Sequence, residues 1–342
     1  MIGKMIQEIR ILCHISLKQL TDGICSIGML KKYESGEKWP DLLLASALWQ
    51  RLGKSIDKFD IFLDQDEYNL AKTRAFIQEQ IRRGQFQKAA TELYSYQPQK
   101  QSSLPLHRAF VFLQWADLFR LSKADQKKQE QAVLDGLNQT IHCPICPEIV
   151  KERRFCMLEL LLLQRHALLL EEKFPEEALQ WYCALEEYFD LEKNNMDYDY
   201  ADKYKLLPSI LYRHAVSSFH SKFYSTALQL TRRGLWMLEQ LKHQGALFAK
   251  LKQLEFEILK ASGQEVPACE MECLRLMLEA IGENKDLWLE NCYPGYTEYF
   301  LFSVNRTIRE RRLSAGITKQ ELAADLCDIR TLTAIESGQR QA

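Results

Sequence analysis

The two ends of this 342-residue chain carry the same short pattern. Shifted by 302 positions, the first residues align with the last ones without a gap, with eleven identities over about three dozen positions. Such agreement is not expected by chance, so residues 304–338 should repeat the fold of residues 2–36. The identical pairs are Ile6/Ile308, Glu8/Glu310, Arg10/Arg312, Ile15/Ile317, Leu20/Leu322, Cys25/Cys327, Ile27/Ile329, Leu30/Leu332, Glu34/Glu336, Ser35/Ser337 and Gly36/Gly338.

The N-terminal copy contains the signals of short helices separated by tight turns. Apolar residues recur through positions 2–12 at the spacing of one buried helix face. Ser16 and Gln19 then form a capping-box pattern, and Ser26 begins a further helix that should end near Ser35. Leu42–Leu52 and Ser55–Leu63 are predicted as a fourth and a fifth helix.

This order of caps and stops strongly resembles the phage-repressor (Xre) type of helix-turn-helix. The resemblance rests on Ser16, Leu20, Gly23, Ser26, Leu30, Glu34, Gly36 and Pro40. It implies an ion pair between Arg10 and Glu34, and a set of residues facing the major groove of DNA. That set is Lys18, Ile27, Gly28, Lys31 and Lys32.

The recognition helix departs from that family at its start. Many relatives have polar or arginine side chains where this chain has Ile27 and Gly28, and bidentate arginine is the commonest reader of bases. We therefore expect this helix to make few direct contacts to the bases, with Lys31 and Lys32 contacting phosphates. The alternative is that these lysines form only a solvated helix face.

We expect the C-terminal copy to be incomplete, because the sequence reaches only the equivalent of Pro40. Its recognition helix carries Arg330, Thr331 and Thr333, which suit DNA better than their N-terminal counterparts. Three hypotheses stay open: a second DNA contact, a module that packs onto the rest of the chain, and a decayed remnant.

The middle of the chain, residues 67–300, is predicted to be a stack of helix pairs. Glycine (14) and proline (9) are scarce, which favours long helices and an all-α fold. An aromatic residue followed by alanine recurs after predicted turns, a pattern that resembles tetratricopeptide repeats. The repeat alanines are Ala89, Ala132, Ala178, Ala227 and Ala268, at spacings of 43, 46, 49 and 41 residues.

The first helix of each pair should line the concave wall of such a stack. Long polar side chains among aromatics suit an extended peptide, whose backbone needs donors and acceptors. Solvated or locally paired groups are the simpler interpretation of each. The candidates are Gln114, Gln164, Arg165, His166, Tyr212, Arg213, His214, Lys250 and Gln253.

A repressor-type head followed by about five helical repeats resembles the Rap/Rgg/NprR/PlcR/PrgX superfamily of Gram-positive bacteria. The resemblance implies a homodimeric transcriptional regulator whose repeats bind a short signalling peptide, as in quorum sensing. It predicts a DNA-binding head (1–63), a tetratricopeptide-like solenoid (67–300) and a truncated second unit (304–342), with a linker near Leu63–Asp66. The alternative is a protein-capture module with weak or vestigial DNA binding.

Composition limits the other classes. A formal charge of −1 excludes a general polyanion binder, so DNA contact requires a local patch. No leader peptide or membrane-length apolar run is visible, and ten cysteines then indicate reduced thiols in a cytoplasmic protein. No phosphate loop, nucleophile motif or second Cys-x-x-Cys accompanies Cys143 and Cys146, so we expect no enzyme, cofactor or metal site.

Overall fold

The structure, a computed structural model, describes residues 2–54, 56, 61–96, 104–123, 125–189, 200–240, 245–281 and 301–340. These residues form an all-α fold of eighteen helices, with one pair of three-residue strands. The predicted fold class is therefore confirmed: a helix-turn-helix head is followed by stacked helix pairs and by a second helix-turn-helix unit.

The head contains four helices around one apolar core. Ile6, Leu20, Leu30 and Leu48 are fully buried in it, one from each helix. Burial of such side chains stabilises a domain by roughly 1.5–3 kcal/mol each. The helices are α1 (Ile2–Leu12), α2 (Leu17–Thr21), α3 (Ile27–Glu34) and α4 (Leu42–Arg51).

The fifth helix predicted over Ser55–Leu63 is wrong at its C-terminal end. Ile61–Leu63 is a strand, β1, which pairs in parallel with β2 (Leu301–Ser303). Residues 55 and 57–60 lie outside the described residues. The pairing gives the backbone of this apolar stretch hydrogen-bond partners from a segment some 240 positions away, which a local pattern cannot reveal.

In the described residues, the solenoid consists of five helix pairs, and the two members of each pair contact each other. Ala89, Ala178 and Ala227 have no exposed surface and Ala132 has little, as expected where a small residue lets paired helices approach closely. The pairs are α5 (Gln65–Arg82) with α6 (Phe86–Ser95), α7 (Leu104–Leu121) with α8 (Gln126–Asn138), α10 (Met157–Leu170) with α11 (Pro175–Tyr188), α12 (Tyr200–His220) with α13 (Tyr224–Gln240), and α14 (Ala246–Ala261) with α15 (Ala268–Ile281); a short helix, α9 (Ile149–Glu152), precedes α10.

The prediction for Ala268 as a packed repeat alanine is wrong. Ala268 is exposed at the start of α15, and no residue of that helix is buried. The reason is positional, because α15 is the last helix of the stack in the part of the chain that the structure describes, and it contacts α14 alone in appreciable number.

The C-terminal unit repeats the first three helices of the head. Its helices are α16 (Val304–Ser314), α17 (Lys319–Ala323) and α18 (Ile329–Glu336), each displaced from α1, α2 and α3 by the predicted 302 positions at both ends. The unit is attached at the start of the solenoid through β2 and through Ser303, whose hydroxyl donates to the Gln65 side-chain oxygen at 2.8 Å.

The predicted linker near Leu63–Asp66 is not a free connection. Strand β1 runs directly into α5, and the Asp64 side chain caps α5 by accepting from the amide of Glu67 at 2.8 Å. Helix α4 of the head packs directly on α7 and α10. None of the described helices combines the length and apolar character needed to cross a membrane.

Candidate nucleic-acid interface

The recognition helix α3 is fixed by contacts that the sequence pattern indicated. The Ser16 and Gln19 side chains form the capping box of α2, and the Ser26 hydroxyl accepts from the Met29 amide at 3.2 Å. The Arg10 guanidinium donates to both carboxylate oxygens of Glu34, at 2.7 and 3.0 Å, and so joins α1 to α3. Hydrogen bonding to Glu34 raises the pKa of Arg10. The implied ion pair is confirmed.

The five residues predicted to face DNA all lie exposed on the outer side of α2 and α3. Ile27, Gly28, Lys31 and Lys32 follow the spacing of one helix face, while Leu30 and Tyr33 on the opposite face are buried. Among the described residues, Lys32 forms an ion pair only with the exposed Glu37, at 3.4 Å, and water screens this pair. This surface presents three ammonium groups, which suit phosphates, and an apolar side chain, Ile27, which suits a thymine methyl group.

The C-terminal unit reproduces the same internal geometry. Arg312 donates to both oxygens of Glu336, at 2.5 and 3.0 Å, and to the Ile317 carbonyl at 3.0 Å. Thr318 and Glu321 form the capping box of α17, and Asp328 caps α18. Arg330 and Thr333 on α18 are exposed, whereas Thr331 is half-buried.

A buried ion pair that the sequence did not indicate joins the head to the solenoid. Arg51 of α4 donates to both oxygens of Glu159 on α10, at 2.8 and 3.0 Å, and neither side chain has exposed surface. Burial acts to lower the pKa of Arg51, but the Glu159 carboxylate raises it above its usual value. Arg51 also donates to the carbonyls of Leu20 and Asp22, at 3.1 and 2.7 Å, which places the helix-turn-helix turn against this junction.

The turn between α2 and α3 touches the solenoid at Gly23. This glycine has a φ of +73°, and a Cβ placed there would lie 1.8 Å from the Thr140 carbonyl oxygen. Arg153 reinforces the contact by donating to the carbonyls of Asp22 and Thr140, at 3.2 and 3.1 Å. The turn of the head is therefore joined directly to the solenoid surface, in addition to the chain connection through β1 and α5.

Four of the predicted peptide-binding residues line the same small cavity. Gln164, Arg165, Tyr212 and Arg213 line a small cavity of about 20 Å³ between α10 and α12. The Gln164 amide donates to the Ser209 hydroxyl at 2.9 Å, and Arg165 makes a bidentate ion pair with Asp117, at 2.6 and 3.3 Å.

These wall residues are already engaged with one another. Burial acts to raise the pKa of Asp117, but Arg165 and Arg120 lower it below its usual value, so the carboxylate stays charged. Arg213 lies 3.5 Å from Glu171, which also accepts from the Tyr182 hydroxyl. A peptide bound here would have to exchange hydrogen bonds with this network instead of filling an open groove.

The other predicted peptide-binding residues do not line this cavity. His166 packs edge-on against Trp181, and burial lowers its pKa; His214 contacts Glu186 at 2.8 Å. Gln253 donates to Glu257 one turn away. Gln114 is buried in α7, and Lys250 is half-buried on α14. Sequence spacing placed them on the first helices of the pairs but could not show which side chains they contact.

Comparison with known proteins gives one structural similarity. The sequence matches no protein-family model, and no curated protein matches it. Among solved structures, the chain is similar to the crystal structure of Bacillus thuringiensis PlcR in complex with the peptide PapR7 and DNA. The identity is 16%, the match covers 85% of this chain and 96% of that one, and the TM-score is 0.47. The likeness concerns the course of the chain, and what this protein binds has to be inferred from its own residues.

Proposed function

We propose that this protein is a DNA-binding transcriptional regulator whose helix α3 enters the major groove. The observation that supports it is the exposed face of Lys18, Ile27, Gly28, Lys31 and Lys32, held rigidly by two side-chain caps and the Arg10–Glu34 ion pair. Helix-turn-helix proteins bind DNA with such a face, its lysines on phosphates and its first residues on base edges.

Regulation is proposed to act through the rigid contact between the head and the solenoid. Two copies that associate through their solenoids would present two heads to half-sites roughly 34 Å apart, or a multiple of that. A ligand that prefers one curvature of the solenoid changes the angle between the heads, since the Arg51–Glu159 pair transmits the movement of α10 to α4. We assign a short peptide at Gln164, Arg165, Tyr212 and Arg213 as that ligand, and the cytoplasm as the place of action.

The first experiment measures binding to DNA from just upstream of the gene, across a salt series with competitor DNA. The Lys31→Ala/Lys32→Ala double variant should reduce the slope of log affinity against log salt by about 2, because each phosphate contact contributes about 0.9. Lys127→Ala/Lys128→Ala is the matched control, since this pair of exposed lysines lies on α8 of the solenoid.

Equal loss in both double variants would assign the effect to overall charge and contradict the proposed interface. Weak binding without sequence preference, lost as salt rises, would instead favour the capture of a partner protein by the solenoid.

To test for the ligand, binding of a pool of synthetic short peptides is compared between the protein and its Arg213→Gln variant. We expect the unsubstituted protein to retain peptides that the variant does not retain.

A further inference from the structure

A second and much larger cavity lies between the head and the solenoid. It has a volume of about 360 Å³, and its walls come from α4 of the head and from α5, α7 and α10 of the solenoid. Small-molecule sites have volumes of about 300–1,000 Å³ and favour the boundary between two domains.

The two ends of the cavity differ in polarity. Its inner end is formed by buried apolar residues, among them Leu42, Leu106 and Leu113. Its opening lies along α5, where Lys72 and Ala75 are exposed. The cavity therefore fits a molecule with an apolar body and a polar end directed outwards.

The charge at the opening selects the sign of that polar end. None of the residues that line the cavity is acidic. Lys72 has no carboxylate within ion-pair distance among the described residues, and its ammonium group lies 5.5 Å from the centre of the Tyr68 ring. Arg74, the other cation of the wall, is turned towards the buried Tyr96 hydroxyl at 3.1 Å. Lys72 is thus the group available to a ligand anion.

We infer that this cavity binds an apolar-chain monocarboxylate, with its chain between α4 and α10 and its carboxylate on Lys72. Binding here joins the head to the solenoid, because the cavity-lining Gln50 of α4 also accepts from the Met157 amide of α10 at 2.9 Å. The inferred ligand is chemically distinct from a peptide on the concave wall, and it contacts the head directly. An effect on DNA binding rests on the proposed function, whereas carboxylate binding does not.

The test is calorimetric titration with octanoate and with octan-1-ol, both below their aggregation concentrations. Octanoate should bind, and Lys72→Met should weaken it at least tenfold while leaving octan-1-ol unchanged. Lys127→Met on α8 is the control for a general loss of charge. Ala71→Phe, which fills the cavity from α5, should abolish binding of both compounds.

Several results would overturn the inference. These are no octanoate binding to the unsubstituted protein, equal octanoate affinity in Lys72→Met, or octanoate binding that persists in a folded Ala71→Phe protein. Because Lys72 is exposed, its variant should fold even if Ala71→Phe does not. Slower hydrogen exchange in α4 with octanoate, in the absence of DNA, is a further expected result. Because this measurement contains no DNA, a negative result would be distinguishable from a failure of the proposed DNA binding.

Discussion

The head and the C-terminal unit are the same three-helix arrangement in two different surroundings. Their helix boundaries correspond under one shift, and the Arg10–Glu34 pair has its counterpart in Arg312–Glu336 with nearly equal distances. Even the left-handed residues correspond, at His14/Gly316, Gly23/Asp325 and Gly36/Gly338. The local fold therefore depends on the capping residues and the ion pair that both copies share.

The head and the C-terminal unit differ in how far the apolar side of their three helices is covered. In the head, Ile24 has no exposed surface beneath α4 and the solenoid; its counterpart Leu326 is 79% exposed. Ile15 and Ile317 differ in the same direction, at 4% and 37%. The outer end of the recognition helix does not differ, since Ile27 and Ile329 are 41% and 44% exposed. Cover therefore changes the burial of the apolar side of the unit and leaves the exposure of the outer end of the recognition helix nearly unchanged.

The largest effect is expected where the head is joined to the solenoid. Arg51→Met leaves Glu159 buried without its partner, and removal of one member of a buried ion pair costs about 3–5 kcal/mol. Local stability of α1–α4 is measured by hydrogen exchange, with α13 as the internal reference. A double variant, Arg51→Met/Glu159→Gln, should regain at least half of the loss. A change below about 1 kcal/mol in the single variant would contradict a rigid joint.

The next prediction compares matched apolar residues. Ile24→Ala should destabilise the head by about 2–5 kcal/mol, as for other buried Ile-to-Ala changes. Leu326→Ala should change the C-terminal unit by no more than about 0.5 kcal/mol, because the side chain is exposed. Urea denaturation followed by hydrogen exchange measures both. Equal losses would mean that something covers Leu326 in solution, and would support the hypothesis of a packing module.

How much of this structure can be predicted from the sequence depends on how many positions along the chain separate the interacting residues. The caps at Ser16 and Ser26 were predictable because their partners lie three residues away. Strand β1 was not, because Ile61 pairs with Leu301. The partners Arg51 and Glu159 stand 108 positions apart, and neither is marked by a motif. In the middle of the chain, the spacing placed Gln164 and Arg213 on the first helices of their pairs, but it could not show that Asp117 engages Arg165.

A smaller effect is expected at the turn between the second and third helices. Gly23→Asp introduces the residue that stands at position 325, where a φ of +63° is tolerated, so the conformation of the turn should persist. The new Cβ would lie 1.8 Å from the Thr140 carbonyl oxygen and has to push the head away from the solenoid. A loss of about 1–3 kcal/mol is expected, as for other overpacked sites.

The reverse substitution, Asp325→Gly, is the control for the turn itself. No solenoid backbone limits that position in the described residues, since Asp325 is exposed, and the expected change is within about 0.5 kcal/mol. Exchange of the amides around positions 23 and 140 separates loss of docking from loss of folding. If both regions keep their protection in Gly23→Asp, the turn does not rest on the solenoid in solution.

The smallest effect is expected at Gly28, where the C-terminal unit has Arg330. A Cβ at Gly28 meets nothing closer than the Ser26 hydroxyl at 4.0 Å, so Gly28→Ala should stabilise α3 by about 0.5 kcal/mol. Gly3→Ala is the contrasting control, because its Cβ would lie 1.7 Å from the Tyr33 carbonyl oxygen. The shift in urea midpoint is measured beside DNA affinity at one salt concentration. A more stable Gly28→Ala protein with unchanged affinity would leave Lys31 and Lys32 as the principal contacts, whereas a more stable protein that binds DNA at least tenfold more weakly would show that the bare backbone at Gly28 lies against DNA.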